Sequence, residues 1–211
     1  MTGIIFDIDG TIWDSSEVLA DTYSNVVNKY LQKENFHITG NDIKRNLGKT
    51  IDDFLAGVFP MLSEAERMII GEPCLKYANE VLAKNPAPMF DGAADTIRRL
   101  SEDYQIYIVS NCAVGYIEAL LEGTRLAPYV TDHLSNGATG KSKGDNIRIL
   151  MEKNHQDKAV YIGDTQGDYE ACLYAGIPFI WAVYGFGNVP DAEYKIHSIR
   201  ELLDFPFSSI V

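Results

Sequence analysis

Four short apolar runs, each closed by a polar turn, punctuate the chain. Ile4-Ile5-Phe6 precedes Asp7-Ile8-Asp9-Gly10-Thr11, and residues 106–109 precede Ser110-Asn111. Residues 159–162 precede Gly163-Asp164, and residues 179–183 precede Tyr184-Gly185. Runs that are continuously apolar, rather than alternating, predict strands buried on both faces. Residues 130–134 form a weaker fifth candidate. Between the runs, apolar residues recur at helical spacing over 93–100, 114–121, 147–151 and 169–175, the last stopped by Gly176-Ile177-Pro178. Strands alternating with helices require parallel crossovers, so the pattern predicts an α/β fold with a parallel sheet covered on both faces.

Residues 15–86 break this rhythm. Val18, Thr22, Val26, Val27, Tyr30 and Leu31 make one amphipathic stripe. Thr39 can cap a short helix through Leu47, and residues 51–59 suit a third helix. Ser63 and Glu66 have the spacing of a capping box opening a fourth helix through Ala83, before Pro86-Ala87-Pro88 ends the region. A stretch this long is too long for a loop. The expected organisation is a three-layer Rossmann-like core from 1–14 and 87–211, with an all-helical cap domain, 15–86, inserted after the first strand.

Composition narrows the function. The 211 residues carry 30 acidic against 18 basic side chains, a formal net charge of -12. No basic stripe is present to neutralise phosphate backbones, so nucleic acid and anionic membranes are not expected partners. Cys74, Cys112 and Cys172 lack any C-x-x-C spacing, which argues against a disulfide framework or a structural zinc. No segment approaches the roughly 20 apolar residues of a membrane span, and the start has no basic n-region. A soluble cytoplasmic protein is the expectation, and either a monomer or a weak dimer is compatible with it.

Ligands of open parallel sheets bind beyond the carboxyl ends of the strands. The sequence places Asp7 and Asp9 after the first run, Ser110 and Asn111 after the second, and Asp164 after the third, with Asp168 opening the next helix. Carboxylates gathered at one edge repel one another and need a cation or raised pKa values. Hard oxygen ligands without His or Cys suit Mg²⁺, and a lysine and a hydroxyl beside it suit a phosphoryl dianion. These residue types point to metal-assisted phosphoryl transfer.

Asp7-Ile8-Asp9-Gly10-Thr11, the apolar run before Ser110, a helix-opening lysine and Gly163-Asp164-x-x-x-Asp168 resemble, in order, the four motifs of the haloacid dehalogenase superfamily. The helical insertion is similar to the cap of its phosphoglycolate phosphatase and β-phosphoglucomutase branch. The resemblance implies that Asp7 is a nucleophile forming an aspartyl phosphate, and that Asp9 is the acid and then the base. It implies that Ser110 and the Asn111 backbone bind phosphoryl oxygens, with Gly10 and Thr11 also binding the substrate. It further implies that Asp7, the Asp9 carbonyl, Asp164 and Asp168 hold Mg²⁺, Asp168 directly or through water. Lys143 is preferred over Lys141 as the motif lysine, because it adjoins the helix carrying Ile147 and Leu150.

Gly48-Lys49-Thr50 and Gly140-Lys141-Ser142 fail as P-loops, because Ile43 and Ser135 stand where the first glycine belongs. Gly48-Lys49-Thr50 reads instead as a substrate-facing cap loop, with Lys49 and Arg45 available to an anionic part of the substrate. Asp14 reads as a hinge or cap contact, and Trp13 as a pocket wall or hinge packing. The expected activity is hydrolysis of a small phosphorylated metabolite. A phosphosugar mutase of the β-phosphoglucomutase type is the alternative, and a non-catalytic phosphate-binding protein a more distant one.

Overall fold

The structure, a computed structural model, describes residues 2–210; Met1 and Val211, the outer bounds of the two expected core segments, lie outside the described residues. Six strands form one parallel sheet in the order β3-β2-β1-β4-β5-β6. They are β1 (Gly3–Phe6), β2 (Gln105–Ser110), β3 (Asp132–Ser135), β4 (Ala159–Gly163), β5 (Phe179–Ala182) and β6 (Tyr194–Ile196). β6 was not expected from the sequence: with three residues, one of them an outward Lys195, it has no apolar run to announce it. β3 begins two residues later than the 130–134 pattern predicts, and β5 stops at Ala182, one residue short of Val183.

Successive side chains leave a strand on opposite faces, and the core divides accordingly. Ile4, Phe6, Ile106, Ile108, Val160, Ile162 and Ile180 face one cluster. There they meet Ala93, Ile97 and Leu100 of α5 (Ala93–Leu100) and Ile117, Leu120 and Leu121 of α6 (Tyr116–Thr124). Ile5, Tyr107, Val109, Tyr161 and Phe179 face the other cluster. They are covered there by Ile147 and Leu150 of α8 (Lys143–Lys153) and Cys172 of α9 (Gln166–Ala175). The short α7 (Asn136–Thr139) links β3 to α8. Each fully buried Ile or Val contributes roughly 1.5–3 kcal/mol relative to exposure, so both faces are held strongly. α6 starts at Tyr116 rather than Val114 because Gly115, at φ 84°, is its left-handed N-cap.

The register sets the geometry of the sheet edge. Phe6 lies level with Ile108 and with Ile162. Asp7 therefore leaves the central strand between Ser110 and Asp164, which end the two flanking strands.

Four helices fill the sequence between β1 and α5: α1 (Ser16–Leu31), α2 (Gly40–Lys44), α3 (Ile51–Val58) and α4 (Glu64–Lys84). Both expected caps form: Thr39 exchanges hydrogen bonds with Asp42, and Ser63 with Glu66, in reciprocal capping boxes. α4 lies along α1 and also along α6, so these helices share one apolar cluster with a face of the sheet. The chain enters and leaves the helical segment side by side, Trp13 bridging Met89 and the Asp14 N–H donating to Pro88 O at 2.9 Å. Among the described residues, no helix is long and apolar enough to cross a membrane.

Candidate active site

Three carboxylates converge where β1 and β4 end. Oxygens of Asp7, Asp164 and Asp168, all buried, lie within 4.8 Å of one another. Burial pushes the Asp7 carboxyl up to about 6 against the opposing pull of Lys143. Burial, and then the charges of Asp168 and Asp7, push Asp164 up to about 8. Each is a group whose ionised form lacks sufficient compensation.

The loop after β5 fixes Asp164. Phe186 and Gly187 donate backbone N–H groups to its Oδ2 at 2.7 and 3.3 Å. A Cβ on Gly10 would stand 2.2 Å from that same Oδ2, and one on Gly185 would stand 2.3 Å from Asp164 Cβ. Gly10 also has φ 81°, so the turn after Asp9 admits only glycine without strain. The other oxygen, Asp164 Oδ1, is buried and accepts from no group. An orphaned carboxylate oxygen beside two further carboxylates is the donor set a hard divalent cation requires.

Lys143 opens α8 and is buried, its Nζ 3.1 Å from Asp7 Oδ1 and hydrogen-bonded to Asp168 Oδ1. Burial opposes its charge, but the two carboxylates prevail and raise its pKa. Lys141 is exposed and touches neither carboxylate. Asp168 serves as anchor. Its Oδ2 accepts from the backbone N–H groups of Asp164 and Thr165 and from Thr165 Oγ1, closing the capping box of α9. Tyr161 donates its hydroxyl to Val109 O at 2.7 Å beneath this pair. With both oxygens of Asp168 engaged, Asp7 and Asp164 are left as the open ligands.

Asp9 is held differently. Its Oδ1 accepts from Trp13 Nε1 at 3.0 Å, Ser15 Oγ at 2.5 Å and Tyr116 Oη at 2.9 Å. Burial pushes its pKa up to about 7, although the Ser15 and Tyr116 bonds pull it down. Trp13 is wholly buried and meets Tyr116 edge to face at 5.7 Å, so it both packs the hinge and donates to Asp9. Asp14 faces the helical segment, 2.7 Å from Lys44, whose Nζ also lies over the Phe186 ring.

Helices α1, α3 and α4 and the α2–α3 loop roof a narrow, partly open chamber of about 50 Å³ over Asp7, Asp9, Ser110 and Asn111. The roof is formed by Leu19, Tyr23, Leu47, Phe54 and Leu75, with Lys49 its one cation. Gly48, at φ 84°, turns this loop against the core, where Asn111 Nδ2 donates to Gly48 O at 2.9 Å. Lys49 Nζ is braced by Asn46 Oδ1 at 2.7 Å. Arg45, expected to share the substrate's charge, does not enter the chamber: its side chain is 75% exposed and points to Asp42. The solvated end of the short helix α2 carries it outward. Thr11 is buried in the turn, and its carbonyl accepts from the Tyr184 hydroxyl.

The sequence reading did not select Ser15, Tyr116, Thr165 or the Gly185–Gly187 loop. Two of these carried a signal: Thr165 stands three residues before Asp168, the spacing of a capping box, and the loop holds a Gly-Phe-Gly at the end of an apolar run, which marks close backbone approach.

A parallel sheet with an acid-lined carboxyl edge and a lysine clamped between two of the acids defines a hydrolase of the haloacid dehalogenase type. Residues 4–182 match the family model for haloacid dehalogenase-like hydrolases, and the chain belongs to that family. It is 27% identical over 216 residues to pyrophosphatase PpaX of Listeria innocua, covering 96% of this chain and 95% of that protein. It is 26% identical over 205 residues to phosphoglycolate phosphatase of Rhodospirillum rubrum, covering 90% and 83%. A crystal structure of a predicted phosphoglycolate phosphatase from Haemophilus somnus superposes with a TM-score of 0.84 at 17% identity, covering 97% of each chain.

Proposed function

We propose that the protein is a Mg²⁺-dependent phosphatase that hydrolyses a small phosphomonoester through an aspartyl phosphate on Asp7. The observation that carries this reading is the position of Asp7. It stands at the floor of the chamber beneath the helical segment, with Lys143 3.1 Å from one oxygen and the orphaned Asp164 within ligand range.

Asp7, the Asp9 carbonyl and Asp164 would hold the cation, with Asp168 orienting Lys143 and, through water, completing the set. Bound Mg²⁺ supplies positive charge that lets an anionic nucleophile approach an anionic phosphoryl group. Asp7 attacks phosphorus, and the P–O bond to the leaving alcohol breaks as Asp9 delivers its proton to that oxygen. A carboxyl raised to about 7 holds a proton near neutrality, as this step demands. Asp9, now ionised, then takes a proton from the water that attacks the acyl phosphate, freeing inorganic phosphate and restoring Asp7. Ser110 and the Asn111 N–H bind the transferring oxygens, and Lys143 neutralises the charge they share with Asp7.

The helical segment acts as the cap domain. The chamber lies between it and the core, so movement about the hinge at Trp13–Asp14 and 88–89 would admit a substrate and then exclude water. A covered site favours small metabolites over phosphoproteins. Among the described residues Lys49 is the one cation on the roof and Arg45 lies outside, a lining that favours hydrolase over mutase, which would have to hold a second phosphate there.

The test is phosphate release from a panel of small phosphomonoesters, pyrophosphate and an aryl phosphate, with Mg²⁺ and with chelator, beside Asp7→Asn. Metal-dependent release that disappears in the variant is the expected result. Release that survives in Asp7→Asn contradicts the assignment.

A further inference from the structure

Two residues that line the chamber, Asn79 (which also borders the open cleft beside it) and Asn111, each carry a buried oxygen with no hydrogen-bond partner among the described residues. Asn79, on α4, donates its Nδ2 to Val114 O at 2.8 Å, and Asn111, after β2, donates its Nδ2 to Gly48 O at 2.9 Å. A carboxamide whose nitrogen faces a carbonyl must present its oxygen at the other end, so neither side chain can be reversed without losing its bond. Both line the chamber, and the Oδ1 of each is buried and accepts from nothing. Both bonds join the helical segment to the core, so the two acceptors are set in place when the chamber is closed. Around them the walls are largely apolar: Leu19, Leu47, Phe54 and Leu75.

Buried acceptors left unpaired are costly, and sites built around them select ligands that pair them. We infer that the leaving group is a small alcohol bearing a further hydrogen-bond donor, a hydroxyl or an ammonium, that is received by Asn79 Oδ1 and Asn111 Oδ1. This rests on the phosphatase reading above and sharpens it. A leaving group that offers only acceptors there, such as glycolate, would satisfy Lys49 but would set its own lone pairs against the two carboxamide oxygens. A donor-bearing alcohol satisfies them whether or not it also carries a carboxylate for Lys49.

The experiment compares kcat/KM for glycerol 3-phosphate and O-phosphoserine with that for phosphoglycolate, with an aryl phosphate as the reference for chemistry alone. At least one donor-bearing ester is expected to exceed the acceptor-only phosphoglycolate by tenfold or more. The ester that leads distinguishes hydroxyl from ammonium. Asn79→Leu and Asn111→Leu should each shrink that ratio several-fold, whereas a merely structural role would lower all substrates alike and leave the ratio unchanged. Phosphoglycolate matching the donor-bearing esters, or a ratio unmoved in both variants, overturns the inference. Aryl phosphate turnover with no such preference overturns it while leaving the phosphatase reading intact. If not even the aryl ester is hydrolysed, that reading fails, and saturation-transfer NMR with glycerol and glycolate reads the chamber directly. Glycerol bound in preference supports the inference; glycolate preferred, or neither bound, refutes it.

Discussion

The two carboxylates proposed for the chemistry differ in their neighbours. Asp7 is paired with a cation, whereas Asp9 has three neutral donors on one oxygen and none on the other. That division ties down Oδ1 and leaves Oδ2 to carry the proton. Tyr116→Phe removes one donor, worth about 1 kcal/mol for a neutral hydrogen bond, so kcat should fall about fivefold with KM little changed. Because the Tyr116 bond lowers the Asp9 pKa, its loss should also move the high-pH limb of the kcat profile upward. A profile unchanged from the parent would show that Tyr116 does not act on Asp9. Lys143→Met leaves Asp7 and Asp168 buried without their counter-charge, a loss of roughly 3–5 kcal/mol in stability or catalysis. Lys141→Ala, on the exposed side, should stay within about 0.5 kcal/mol by thermal unfolding and leave kcat unchanged. The reverse order of losses would make Lys141 the functional lysine.

The elements explain what the sequence could and could not disclose. Strands buried on both faces announce themselves as apolar runs, and β1, β2 and β4, which carry Asp7, Ser110 and Asp164, were legible for that reason. Capping chemistry was equally plain at Thr39 and Ser63, because a capping box is a local motif. β6 stayed hidden, because a three-residue edge strand draws its stability from the neighbouring strand rather than from its own pattern. Tyr116 reaches Asp9 across 107 residues of sequence, and no local spacing encodes such a contact. Arg45 illustrates the opposite error: the loop was placed correctly, but the direction of one side chain on a five-residue helix was not. The α2–hinge contact yields its own prediction. Lys44→Ala releases Asp14 and the Phe186 ring, so the open form should gain population. KM should change with little effect on thermal stability, since the ion pair is partly solvated.

At the scale of the molecule, the acid-lined edge couples metal, protons and stability. The folded-state pKa values of Asp7, Asp9 and Asp164 lie above their ordinary value, at about 6, 7 and 8. Between that ordinary value and these, the three groups hold more protons in the metal-free native state than in the unfolded chain, so their contribution to stability falls as pH rises through this window, most clearly from about 5 to about 8 where the other carboxylates are ionised in both states. Metal binding needs the ionised carboxylates, so Mg²⁺ should reverse the trend. The rise in Tm on adding Mg²⁺ is expected to be larger at pH 8 than at pH 5.5 by differential scanning fluorimetry. A rise independent of pH would separate the cation from these carboxylates.

The central claim is that Asp7 becomes covalently phosphorylated. The most direct test mixes the protein with a turned-over phosphomonoester and Mg²⁺, quenches in acid within the first turnover, and maps the adduct by peptide mass spectrometry. The account predicts a phosphoryl group on the peptide containing Asp7, labile to base and absent with chelator or in Asp7→Asn. Rapid turnover with no adduct on that peptide, or an adduct on another residue, would contradict it.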